Sequence, residues 1–168
     1  MTRPIRLNEN EYALTVEGTA DTTVGGGPNA YIATASVGAR VCVDVYHPAT
    51  SNASGEFSGI GGNFCYGLAR DAQGRTIQSA STLFSFSTHD RRLQIPIGLV
   101  LRFREQSDSA LEVNAGFRHL SDGDSGVLRA PSIHPMWGLE LGLGVSFMDC
   151  PGEVYLRLGI STGFEFDL

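Results

Sequence analysis

The last sixteen residues, EVYLRLGISTGFEFDL, alternate in a way that no helix permits. Val154, Leu156, Leu158, Ile160, Phe164, Phe166 and Leu168 fall on one parity, and Arg157, Ser161, Glu165 and Asp167 on the other. A period of two places such sets on opposite faces of an extended strand, whereas a helix with 3.6 residues per turn would scatter both. The pattern recurs along the chain. Leu139, Leu141, Leu143, Val145 and Phe147 alternate with Glu140, Gly142, Gly144 and Ser146. Leu111, Val113, Ala115 and Phe117 alternate with Glu112, Asn114, Gly116 and Arg118. Leu93, Ile95, Ile97, Leu99, Leu101 and Phe103 do the same, as do Val37, Val41, Val43 and Val45. YALTVEG, SGIGGNFCYGLA and TIQSASTLFSFS read as three further strands.

Turn-forming stretches separate these runs: TVGGGPN, HPATSNASGE, RDAQGR, STHDRR, EQSDSA and MDCPGE. The reading is therefore all-β, with about eight strands and no helix. Eight long antiparallel strands, each apolar on one face only, close most simply into a single barrel; a sandwich is the second solution. A chain of 168 residues suits one domain. The expected organisation is an N-terminal tail or lid over residues 1–11 and a barrel over 12–168.

Alternation alone does not say which face is the core. A soluble barrel points its Leu, Val and Ile inward; an outer-membrane barrel points them at lipid and lines its lumen with small and charged residues. Three features favour the soluble form. MTRPIRLNENEYALTVEG has no apolar leader segment. The longest connection, 120–135, joins strands six and seven, where an eight-stranded outer-membrane barrel has a short periplasmic turn. MDCPGE, joining strands seven and eight, is short. Glycine at alternate positions and a strand that runs to the last residue point the other way.

Composition excludes several classes. The net charge of −6 argues against nucleic acid as a partner. All twelve basic residues are Arg, which removes Schiff-base and Ser–Lys chemistry. Cys42, Cys65 and Cys150 lack the spacing of a disulfide framework or a zinc site, so they are expected as small buried residues in a reducing cytosol. No metal and no cofactor are expected.

GDSG at 123–126, the string around a chymotrypsin-like nucleophile, sits in a chain too short for that two-barrel fold and is expected to be a polar turn. Arg129 beside it is expected to pair with Asp122 or Asp124. His119 and Ser121, followed by PMWGLE (135–140), resemble the H-x-S and Glu arrangement of outer-membrane lipid A deacylases, although Glu140 has the polar parity. A second resemblance covers residues 40–130. Gly123–Ala130 (GDSGVLRA) is similar to the GGTGxYRxA stretch of the allene oxide cyclase and dirigent barrel superfamily. In the same order come Gly59, Gly62 and Cys65 in SGIGGNFCYG, then Gly74, Phe84 and Phe86, and LQIPIG at 93–98.

That resemblance implies a small barrel holding a hydrophobic polyene. Among bacterial members it implies a cytoplasmic, cofactor-free [4+2] cyclase of polyketide biosynthesis, working by orientation and carbonyl polarisation. An inward apolar face would place His119, Tyr66 and Trp137 at the reacting centre. Tyr12, Tyr31, Phe64, Phe84, Phe86 and Phe117 would line the substrate, with Glu140, Arg157 and Glu165 outside in solvent. The partner would be a hydrophobic small molecule, and exposed edges or patches would allow a homodimer. The competing expectations are an outer-membrane barrel, with or without deacylase activity, and a lipocalin-like carrier.

Overall fold

The computed structural model describes residues 10–26, 34–47, 57–88, 91–104, 108–121, 133–146 and 153–168. Eight strands follow one another: β1 (Glu11–Gly26), β2 (Thr34–His47), β3 (Phe57–Asp71), β4 (Thr76–Thr88), β5 (Leu93–Arg104), β6 (Asp108–Leu120), β7 (Ile133–Ser146) and β8 (Val154–Asp167). Each pairs antiparallel with its sequence neighbour, and β8 pairs with β1, which closes the barrel. The sandwich alternative is thereby removed. β1 runs well beyond YALTVEG, through Gly26.

The pairing register fixes the barrel's shape. Following paired residues once around, from Val16 through Val41, Tyr66, Ala80, Leu101, Leu111, Val145 and Val154, returns to β1 at Gly26, ten residues further along. Eight strands with that stagger tilt by about 45° and enclose a lumen only wide enough for side chains. Strands of 12 to 16 residues then reach roughly 30 Å along the barrel axis.

Two turns show how the sequence sets the connections. In RDAQGR, the Asp71 carboxylate accepts the backbone N–H groups of Gln73 (3.0 Å) and Arg75 (2.9 Å), and Arg75 Nε donates to it at 2.8 Å. Gly74 takes a φ of 79°, which a side chain would resist. In STHDRR, Arg91 N–H donates to Thr88 O at 2.9 Å. Arg91 itself has a φ of 60°, an uncommon backbone state for a non-glycine residue.

The faces are inverted relative to the soluble expectation. Leu99, Leu139, Leu141, Leu158, Ile160 and most other large aliphatic side chains are exposed on the outside. Glu17, Arg40, Asp44, Glu112, Arg118, Arg157 and Glu165 are buried inside. Among strand residues whose side chains are described, Arg70 is the charged one on the outer face, one position from the end of β3. The physical reason is volume. A narrow lumen holds glycine, serine and a limited set of long polar side chains, but not a full complement of Leu, Phe and Ile from eight strands.

Glycine makes the polar filling fit. A Cβ at Gly142 would fall on the Glu112 carboxylate, and one at Gly144 on the Tyr155 ring. The neighbouring long side chains lie in the room these residues leave.

Candidate functional site: the ionic ladder of the lumen

The inner parity of six strands and one turn builds a chain of ion pairs along the lumen. At the mouth where β1 starts and β8 ends, here the first mouth, Arg91 reaches in from the β4–β5 turn. Its guanidinium pairs with Glu165, with Glu11 at 3.1 Å and with Asp167 at 3.1 Å. It also lies over the Tyr46 ring, 4.3 Å from the centroid. Tyr46 donates its hydroxyl to Glu165 (3.1 Å) or Gln94 (3.1 Å), and His134 Nε2 lies 3.3 Å from Asp167.

Deeper in, Arg118 pairs with Asp44 at 3.3 Å and Glu17 at 3.5 Å, and Thr15 donates to Asp44 at 2.7 Å. Arg40 joins Glu17 (2.6 Å) to Glu140. Arg157 then joins Glu140 (3.0 Å) to Glu112 (2.7 Å). Arg102 Nε lies 3.4 Å from Glu112, off the hydrogen-bond direction, and Arg102 donates to Asp21 at 3.4 Å. Tyr155 adds a hydroxyl to Glu112 at 3.3 Å. Each carboxylate faces at least one guanidinium, which offsets the desolvation of charges held away from water. Bridging carboxylates such as Glu140 serve two Arg at once, so single removals are felt by several neighbours.

This ladder leaves little open space. A polar cavity of about 30 Å³, lined by Asp21, Ser79 and Arg102 among others, has room for a water. A larger concavity of about 760 Å³ lies against the outer face, where Ala20, Ala35 and Ala115 form a shallow floor between Val37, Phe117, Leu139 and Leu158. Among the described residues no group of His, Cys, Asp and Glu is arranged to hold a metal.

The residues expected inward lie mostly outward, and this corrects the inward assignment. Tyr66, Phe64, Phe84, Phe86 and Trp137 are exposed on the outer face. Tyr12, Phe117 and His119 are half-buried on that same parity. Tyr31 lies outside the described residues, as do GDSG, Arg129 with its two aspartates, Cys150 and residues 1–9. Three of the expected residues do meet. Trp137 packs against Phe117 (ring centroids 5.6 Å apart) and stacks on His119 (5.7 Å), and this cluster sits on the outside of β6 and β7.

Glu140, Arg157 and Glu165, expected in solvent, are ladder residues. The Glu140 position also separates it from His119: its carboxylate is held inside by Arg40, Arg157 and Asn114 Nδ2 (3.2 Å), so it does not join His119 and Ser121 in one site. Tyr46 and Arg91 went unnoticed because nothing in their local sequence marks them; only closure of the ring brings β2, the β4–β5 turn and β8 together.

Cys42 and Cys65 form a disulfide, which corrects the expectation of free thiols. They are directly opposed on β2 and β3, with Cα atoms 4.0 Å apart. The sequence separation of 23 residues concealed a pairing that hairpin register makes immediate.

No family model matches the chain, and no curated protein does. Among solved structures, a chain described under "De novo design of transmembrane beta-barrels" is similar over 92 % of this chain and 95 % of its own length. It shares 10 % sequence identity at a TM-score of 0.38, and at that level the likeness carries no argument.

Proposed function

We propose that this protein is an integral membrane β-barrel with an occluded lumen, a spanning anchor whose working surfaces are its lipid-facing wall and its two mouths. The observation that carries the reading is the inversion of the faces: large apolar side chains outside, a charged ladder inside. A water-soluble monomer would leave that apolar wall exposed on all sides, far beyond the patch sizes soluble proteins tolerate. The height of roughly 30 Å matches a hydrocarbon layer crossed by tilted strands.

The aromatic side chains support the same orientation. Phe86, Trp137, Phe164 and Phe166 gather within a few residues of the strand ends at the first mouth, and Phe103 is next to the end of β5 at the other. Phe64 and Tyr66 lie midway along β3 on the same outer face, so the aromatic clustering is confined to the first mouth, where it matches one interfacial girdle. The Cys42–Cys65 bridge supports assembly in an oxidising compartment, as an outer membrane would provide. The cyclase expectation depended on an apolar lumen, and the ladder occupies that space instead.

The test is direct. The full chain should require detergent or lipid to stay in solution. Unboiled samples should migrate differently from boiled ones on a denaturing gel, and folded protein should float with liposomes. A monodisperse preparation in plain buffer, with no added amphiphile, would overturn the reading.

A further inference from the structure

We propose that the outer face of β3 and β4, at the end away from the first mouth, is a docking site for one anionic glycerophospholipid, with its phosphodiester on Arg70. The inference deepens the membrane-barrel reading and rests on it. Its starting point is a charge on the unexpected side of the sheet. Arg40, Arg91, Arg102, Arg118 and Arg157 each face a carboxylate in the lumen, and Arg75 pairs with Asp71 in its turn. Arg70 is exposed on the outer face instead, and its guanidinium has no ion pair or hydrogen bond with any described residue.

The pairing register gives that charge suitable neighbours. Arg70 is paired across the hairpin with Thr76, which makes Gln78 its diagonal neighbour, about 7–8 Å away at the backbone. Gln78 is exposed on the same face, and its amide also has no partner among the described residues. A guanidinium and an amide so placed can donate together to phosphate oxygens and to an ester carbonyl. Two residues further towards the first mouth, β4 presents Ala80, the smallest side chain of its outward row. Tyr66 on β3 and Leu101 on β5 flank it, both exposed, and stand above it as the walls of a trough leading away from Arg70. Phosphate donors at the rim and an apolar trough below them match the polarity of a phospholipid, headgroup at the interface and acyl chain along the wall.

Depth and charge select the ligand. Arg70 lies one position from the end of β3, where an outward arginine costs little because its head reaches the phosphate layer. The chain as a whole carries a net charge of −6, which repels anionic headgroups at long range. A preference for an anionic lipid must then come from a local contact, and Arg70 is the outward strand cation placed to make it.

The test is lipid retention by the folded full-length protein. Protein in mild detergent micelles with equal amounts of phosphatidylglycerol and phosphatidylcholine is passed through gel filtration, and co-eluting lipid is counted by mass spectrometry. Wild type should retain phosphatidylglycerol about tenfold over phosphatidylcholine, whose choline shields its phosphate; this is the scale of one charge-assisted contact. Arg70→Ala should retain the two alike. Arg70→Lys, which keeps the charge but loses the planar fork, should fall between. Heat-dependent gel migration of each sample reports whether it is folded.

If Arg70→Ala does not fold, Gln78→Ala takes its place and should lower the preference about threefold, the worth of one neutral hydrogen bond. Equal retention of both lipids by wild type overturns the site. So does a preference unchanged in the folded variant, which would put the contact elsewhere. Replacing chloride by inorganic phosphate at equal ionic strength separates a lipid site from a plain phosphate site: retention should persist, and complete displacement overturns the lipid assignment. Liposome flotation is read separately, so a barrel that floats without selecting a lipid loses this site alone, whereas one that does not float loses the membrane reading.

Discussion

The two faces of β7 solve opposite problems with the same backbone. Outward, Trp137, Leu139, Leu141, Leu143 and Val145 form an unbroken apolar row. Inward, Met136, Gly138, Glu140, Gly142, Gly144 and Ser146 alternate between reach and room. The outer row needs no partners, only surroundings that are not water. The inner row is specified contact by contact, because a carboxylate in a narrow lumen is tolerable only where a guanidinium meets it. The outer face should therefore accept any apolar exchange, whereas the inner face should tolerate almost none.

The largest expected effect is on the inside. Glu140→Leu would leave Arg40 and Arg157 without their shared carboxylate and should cost about 3–5 kcal/mol, measured by urea unfolding in lipid vesicles. A cost below 1 kcal/mol would mean the ladder carries little of the fold's stability. Next, Leu139→Arg should cost about 2–4 kcal/mol in vesicles if the proposed membrane setting holds, since it places an unpaired charge midway along the outer wall. Leu139→Ile should be nearly neutral, and equal effects of the two would break the contrast between the faces. Replacing both Cys42 and Cys65 by Ala should cost about 2–3 kcal/mol, visible as a lower urea midpoint in the variant but not in wild type kept oxidised. The smallest effect belongs to the outer aromatic cluster. Trp137→Leu should cost about 1 kcal/mol or less, the worth of its ring contacts with Phe117 and His119.

Strand number, order and closure were legible in the alternation, because period two survives whatever surrounds the strand. The direction of the faces was not, since parity is symmetric: Leu141 out with Glu140 in yields the same string as the reverse. The features used to choose, the connection lengths and the polar character of the first residues, bear on assembly and not on packing. A better signal was present. Large apolar residues alternate with Gly142, Gly144, Gly159 and Gly163, and in a lumen this narrow the glycine-rich parity is the one that fits. The Arg91 pairings and the Cys42–Cys65 bridge depend on which strands meet and in what register, which no local window contains.

The bridge between Cys42 and Cys65 has a further consequence. Nine residues connect β2 to β3, too many for a tight turn to dictate how the two strands align. Sliding β3 by one position would turn Asn63 to the outer face and Phe64 toward the ladder, and every later strand would inherit the mistake. A covalent tie between two directly opposed residues forbids that slip. It works as a ruler mark: once the sulfurs have joined, this hairpin has one alignment, and the barrel is assembled with the correct side of the sheet facing in.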